Sequence, residues 1–150
     1  MQIKLVIAIV VLFIVVVLGA VLIATPTPAL SPTLTPSGSD AEPFVSENVI
    51  VTEPLPGGSV HKTFTVRGEA RGTWYFEASF PIKIQDPSNN QVGLGIAQAE
   101  SDWMTTEFVP FRAAVTVENY SGPATLVLVK DNPSGLPEND DAVEFPIVIQ

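Results

Sequence analysis

The chain has 150 residues, seven Lys and Arg against 16 Asp and Glu, a net charge of −9 and a pI near 4.3. Its few cations are scattered, which excludes the basic footprint that a nucleic-acid backbone or an anionic lipid surface demands. There is no cysteine, so disulfides, thiolate metal sites, a cysteine nucleophile and a lipidated cysteine anchor are excluded as well.

Leu5 to Ala24 (LVIAIVVLFIVVVLGAVLIA) is an apolar run with no charged or polar side chain. At about 1.5 Å per residue it reaches roughly 30 Å as a helix, the thickness of a bilayer core. It is apolar on every side, so it has no solvent face, and in hydrocarbon a helix satisfies its own backbone despite many β-branched residues. A cleaved signal peptide has a shorter apolar core and small residues before the cut. Here Leu22 stands where a small residue is wanted for cleavage after Ala24. The expectation is an uncleaved transmembrane helix over 5–24. Lys4 and the N-terminal amine are the only cations beside it, which leaves residues 1–4 in the cytoplasm and the remainder outside.

Thr25 to Pro43 (TPTPALSPTLTPSGSDAEP) is rich in Pro, Thr and Ser. It has almost nothing to bury and predicts an extended spacer. From residue 44 to 150 the pattern changes to strands and turns. Asn48–Thr52 is the first expected strand. Val60, Phe64 and Val66 then alternate with His61, Thr63, Thr65 and Arg67. Thr73–Gln85 alternates throughout, with Trp74, Phe76, Ala78, Phe80, Ile82 and Ile84 on one face, and predicts a single strand with one buried side. Pro81 on its polar side lacks a ladder donor and predicts an edge position or a bulge.

Val92, Leu94 and Ile96 alternate with Gly93 and Gly95. Val109, Phe111, Ala113, Val115 and Val117 share a face. Ala124–Val129 reads as a central strand, and Val143, Phe145, Ile147 and Ile149 alternate to the C-terminus. Turn-forming clusters at 54–58, 86–90, 101–102, 118–123 and 132–141 separate these segments. Seven or so short strands without helical periodicity predict an all-β, immunoglobulin-like β-sandwich, with a small barrel as the alternative.

Three blocks carry a family resemblance. They are Gly72-Thr73-Trp74-Tyr75-Phe76-Glu77-Ala78-Ser79-Phe80-Pro81, the stretch from Gly95-Ile96-Ala97-Gln98-Ala99 through Asp102-Trp103-Met104-Thr105-Thr106 to Val109-Pro110-Phe111, and Lys130-Asp131-Asn132-Pro133-Ser134-Gly135-Leu136-Pro137-Glu138-Asn139. In these residues the chain resembles the immunoglobulin-like domains of bacterial spore germination, from about Asn48 to Gln150. The resemblance implies a sandwich fold outside the cytoplasmic membrane and brings no catalytic residues with it.

Residues with chemical potential are few. His61, the one histidine, falls on an outward strand face with no nucleophile elbow to serve. Glu77, Glu100 and Glu107 are carboxylates on which a glycosidase pair would draw, but no spacing selects them. Surface charge, or pairing with Arg67, Arg71 or Lys83, is the expectation. Asp131, Asn132, Glu138, Asn139, Asp140 and Asp141 offer hard oxygen ligands of the calcium kind. Pro133 and Leu136 break the helical-loop calcium pattern, so a proline-pinned turn is expected. Trp74 is expected in the core, whereas Trp103, Met104, Phe108 and Phe111 beside Pro110 form a candidate exposed patch.

The sequence therefore predicts a non-enzymatic module with no cofactor and no metal. It is held to the membrane by its N-terminal helix and contacts an unknown protein or polymer of the bacterial cell envelope. The candidate binding surface is Trp103, Met104, Phe108, Asn132, Glu138 and Asn139. The alternative is a carbohydrate- or peptidoglycan-binding module using Trp103.

Overall fold

The computed structural model describes residues 42–150. The expected helix over 5–24, and the spacer up to residue 41, lie outside the described residues. Among the described residues no helix is long and apolar enough to cross a membrane. Nine strands follow in chain order: β1 (Phe44–Val45), β2 (Val49–Glu53), β3 (Ser59–Val60), β4 (Thr63–Arg71), β5 (Ser79–Gln85), β6 (Gln91–Ala99), β7 (Phe108–Val117), β8 (Gly122–Val129) and β9 (Ala142–Ile149). The seven strands of five or more residues answer to the seven segments read from the sequence. β1 and β3 are two-residue additions too short to show a period.

The strands form one curled sheet in the order β1-β2-β4-β7-β6-β5-β8-β9-β3. Every pairing is antiparallel except that of β3 with β9. The curl brings opposite ends of the sheet together: Phe44 of β1 stacks on Phe145 of β9 at 5.1 Å and 24°. Inside lies a continuous apolar core, and among the described residues no polar or charged residue is buried. Alternation explains this directly. Phe111, Ala113, Val115 and Val117 of β7 point inward while Arg112, Ala114 and Thr116 point out. In β9, Phe145, Ile147 and Ile149 do the same.

Three segments depart from the pattern read in the sequence. Thr73–Gln85 is not one strand. Gly72–Trp74 is a 3-10 turn, Tyr75 is buried as well as Trp74, Phe76 is exposed, and the strand begins only at Ser79. Pro81 sits in a strand flanked by β6 and β8, but the β8 ladder starts at Ile82, so β5 has a single neighbour at the proline. The stretch from Val60 to Arg67 also divides, because β3 runs parallel to β9 while β4 pairs with β7 on the other side of the fold.

The third departure is β6, where Gly93, Gly95 and Ala97 face the core and Leu94 and Ile96 face solvent. The glycines face β7 at close range. A Cβ added to Gly95 would lie 2.6 Å from Val115 Cγ2, and one added to Gly93 would lie 2.7 Å from Val117 Cγ2. The valines of β7 already fill that space, so the large residues of β6 turn outward.

Candidate functional site

The strands alternate in direction, so the β4–β5, β6–β7 and β8–β9 connections emerge at the same end of the fold. These connections, residues 72–78, 100–107 and 130–141, hold the centres of the three blocks singled out in the sequence. They brace one another. The Gly72 N–H donates to Glu107 O at 3.0 Å, Arg71 Nη1 to Thr106 O at 3.3 Å, and the Asp131 N–H to Trp74 O at 3.1 Å. Trp74 is buried beneath them, and its Nε1 has no hydrogen-bond partner among the described residues.

Each candidate residue has a definite place, and Phe111 of the expected exposed patch is not at the surface but buried on the inward face of β7. Trp103 is half-buried and packs against the core, so only part of its ring reaches solvent. Phe108 is half-buried with the Arg71 guanidinium 4.1 Å above its ring, a cation–π contact. Arg71 also lies 3.9 Å from Glu107. Met104 is the loop tip and is 77% exposed, its N–H held by Asp102 Oδ1 at 3.0 Å.

In the third loop, Asn132 Nδ2 donates to Leu136 O at 2.8 Å and to Asp140 Oδ1 at 2.7 Å, and Asn139 Nδ2 donates to Ser134 Oγ at 2.9 Å. Both asparagines therefore shape the loop. Glu138 is exposed in the 3-10 turn Pro137–Asn139. The two halves of the candidate surface thus belong to neighbouring loops at one end.

Sequence reasoning missed two exposed residues here. Phe76, read as core, is 39% exposed, and Leu136 is 50% exposed. Phe76 precedes a reversal in which Phe76 and Ser79 exchange both backbone hydrogen bonds. Glu77 and Ala78 occupy its centre at φ 49° and 62°. Such turns favour Asn-Gly, and a side chain in this left-handed region costs roughly 1–2 kcal/mol. Nothing in Glu-Ala signals a turn. Each of the three loops consequently carries one exposed apolar residue (Phe76, Met104, Leu136) among carboxylates that include Glu77, Asp102 and Glu138.

The remaining carboxylates and the histidine have ordinary surroundings. Glu100 pairs with Arg112 at 3.1 Å and Glu53 with Arg67 at 3.3 Å, both in solvent, where such pairs contribute little. His61 is exposed between β3 and β4. Among the described residues no three His, Cys, Asp or Glu side chains converge as a metal site would require.

Tyr75 anchors the first loop from below. Its hydroxyl donates to Val109 O at 2.7 Å, and burial pushes its pKa well above the ordinary 10.0. The folded state therefore holds this proton more tightly than the unfolded chain does. The resulting stability is intact below pH 10.0 and declines as pH rises above it. Tyrosinate absorbance from Tyr75 is expected to appear only as the fold is lost, and Tyr75→Phe should remove this part of the alkaline sensitivity. Ionisation of Tyr75 in the native state at its ordinary pKa would contradict the assignment.

Lettered A to G in chain order, the seven longer strands give A-B-E-D running into C-F-G, the strand order of constant-type immunoglobulin domains. Fold and loop end together define an immunoglobulin-like module. The chain belongs to the family described as the immunoglobulin-like domain of bacterial spore germination, whose model matches residues 48–135. This is not a known enzyme family. The match includes the first two loops and stops at Gly135, short of the Gln150 suggested by the residues themselves. Beyond it, β9 still supplies Phe145, Ile147 and Ile149 to the core. No curated protein and no solved structure matches the chain.

Proposed function

We propose that this chain is a membrane-held, non-enzymatic immunoglobulin-like module that contacts a protein or polymer of the bacterial cell envelope through its three-loop end. The observation that carries the reading is the set of apolar tips Phe76, Met104 and Leu136, one on each of three cross-braced loops. Exposed apolar side chains on a rigid frame favour association, because little ordering entropy is lost on contact. The apolar run over 5–24 supports the anchor. Membership of a spore germination family supports an extracytoplasmic setting.

The test is site-specific photocrosslinking in the full-length chain expressed in bacteria. A crosslinker at position 104 is expected to capture a discrete envelope component from the membrane fraction, and one at Glu144 on the outer face of β9 is expected not to. Adding Phe76→Asp should reduce capture about tenfold or more, since a charge would enter the apolar contact. Equal labelling from both positions would sink the loop-end reading. Recovery of the intact chain in the soluble fraction would sink the anchor, and turnover of a peptide or glycan substrate would sink the non-enzymatic assignment.

A further inference from the structure

A groove of about 660 Å³ lies at the opposite end of the fold, between the β5–β6 and β7–β8 connections and against the outer face of β6. Its lining includes Gln91, Leu94, Thr116, Glu118, Asn119 and Tyr120. The volume falls within the range of small-molecule and oligomer sites. The chemistry of the lining is mixed in a particular way. Leu94 is 49% exposed although it sits mid-strand, and with half-buried Tyr120 it offers an apolar floor. Around that floor stand two amides, a hydroxyl and a carboxylate.

Those polar groups are unspent. The side chains of Gln91, Thr116, Glu118 and Asn119 have no hydrogen-bond or ion-pair partner among the described residues. The loop asparagines at the other end, by contrast, are consumed in shaping their loop. The walls that carry the unspent groups are fixed. The Tyr120 hydroxyl donates to Pro123 O, and the Lys62 ammonium donates to Tyr120 O and to Ser121 Oγ. On the facing wall Asp86 accepts from the Ser88 and Asn90 N–H groups at 2.8 and 2.9 Å and from Asn90 Nδ2 at 2.9 Å. The Asn90 amide and these backbone N–H groups hold the Asp86 carboxyl below the usual carboxylate range. Asp86 and Glu118 are the carboxylates of the lining, and the cations flanking it are Lys62, on the Tyr120 carbonyl, and Lys83, paired across the strands with Leu94.

We infer that this groove binds a neutral glycan chain. Amides and a carboxylate pair with sugar hydroxyls as both donors and acceptors, while an aromatic and an aliphatic side chain receive the C–H faces of the rings. The chain's net charge of −9, with Asp86 and Glu118 in the lining, disfavours phosphate-bearing and uronic-acid polymers. The fixed walls reduce the ordering cost of binding. This site is separate from the three-loop end and stands or falls independently of it.

Isothermal titration of the full-length chain with cellotetraose and with the tetramer of N-acetylglucosamine tests the inference, with a galacturonic acid oligomer as the acidic arm. Saturable binding of a neutral tetrasaccharide is expected. Gln91→Ala and Asn119→Ala should each weaken it about five- to tenfold, the value of one hydrogen bond, with unchanged melting because both side chains are exposed and unbonded. Glu144→Gln on the outer face of β9, outside the groove, should leave the affinity unchanged. Failure of both neutral tetrasaccharides to saturate, an undiminished affinity when Gln91→Ala and Asn119→Ala are combined, or preference for the acidic oligomer would each overturn it.

Discussion

Replacement of Phe80 by Ala is expected to cost about 3–5 kcal/mol of stability, a large share of the roughly 5–15 kcal/mol that holds a domain together. Phe80 is completely buried on β5. Its ring meets Tyr75 edge-on at 5.1 Å and 66°, and Phe111 of β7 at 5.0 Å and 73°. It therefore joins three things at once: the strand that links the two halves of the curled sheet, the turn beneath the first loop, and the longest strand of the opposite wall. Truncation removes the ring's transfer energy and leaves a cavity that the flanking aromatics, themselves fixed, cannot fill. Tyr75 would also lose the contact that sets its hydroxyl on Val109 O. Denaturant unfolding should show a lower midpoint with an unchanged slope. Leu94→Ala, which removes an exposed side chain of similar hydrophobicity, should stay within about 0.5 kcal/mol. A loss below about 1 kcal/mol at Phe80 would mean that the core reorganises freely and that the aromatic triplet is not its centre.

The contrast between Phe80 and Phe76 shows where the sequence is legible. Both fall on one face of an unbroken alternation from Thr73 to Gln85, and periodicity alone assigns both to the core. The chain instead reverses at Glu77 and Ala78, which have no turn chemistry of their own and take positive φ because tertiary packing around Tyr75 and Phe80 outweighs the local cost. The same limit appears in β6, where hydropathy favours Leu94 and Ile96 for burial over two glycines. Only the position of Val115 and Val117 on the neighbouring strand decides the face, and that is not a local property. Where alternation was not opposed by a neighbour, as in β7 and β9, the inward residues were readable one by one. At the loop end, Met104 was legible as an apolar residue in a turn. Asn132 and Asn139 carry the same residue types whether they bind a ligand or shape a loop, and here they shape the loop. The groove beside Tyr120 left no mark in the sequence, because its lining comes from the β5–β6 hairpin, the β7–β8 crossover and the outer face of a strand whose orientation was not predictable.

Gly72→Ala should couple stability to the geometry of the loop end, at a cost of about 3 kcal/mol or more. Gly72 is buried where β4 gives way to the 3-10 turn. An added Cβ would lie 2.0 Å from Thr105 O and 2.4 Å from Trp103 O, and both obstacles are backbone. No rotamer change relieves such a contact, so the β6–β7 loop must withdraw. Withdrawal stretches the hydrogen bond from the Gly72 N–H to Glu107 O and shifts Met104, which stands between Trp103 and Thr105. The expected result has two parts: a large fall in melting temperature, and amide chemical-shift changes concentrated in residues 72–78 and 100–107 that leave the Tyr120 groove unperturbed. Gly57→Ala separates steric from conformational cost. An added Cβ there meets nothing within 4 Å, and only its φ of +73° is unfavourable, so about 1 kcal/mol should be lost. If Gly72→Ala proves no worse than Gly57→Ala, the two loops are not locked through their backbones. The three apolar tips would then lack the fixed frame that makes them a surface, and recognition at that end would have to rest on loops that order only on contact, at lower affinity for the same contact area.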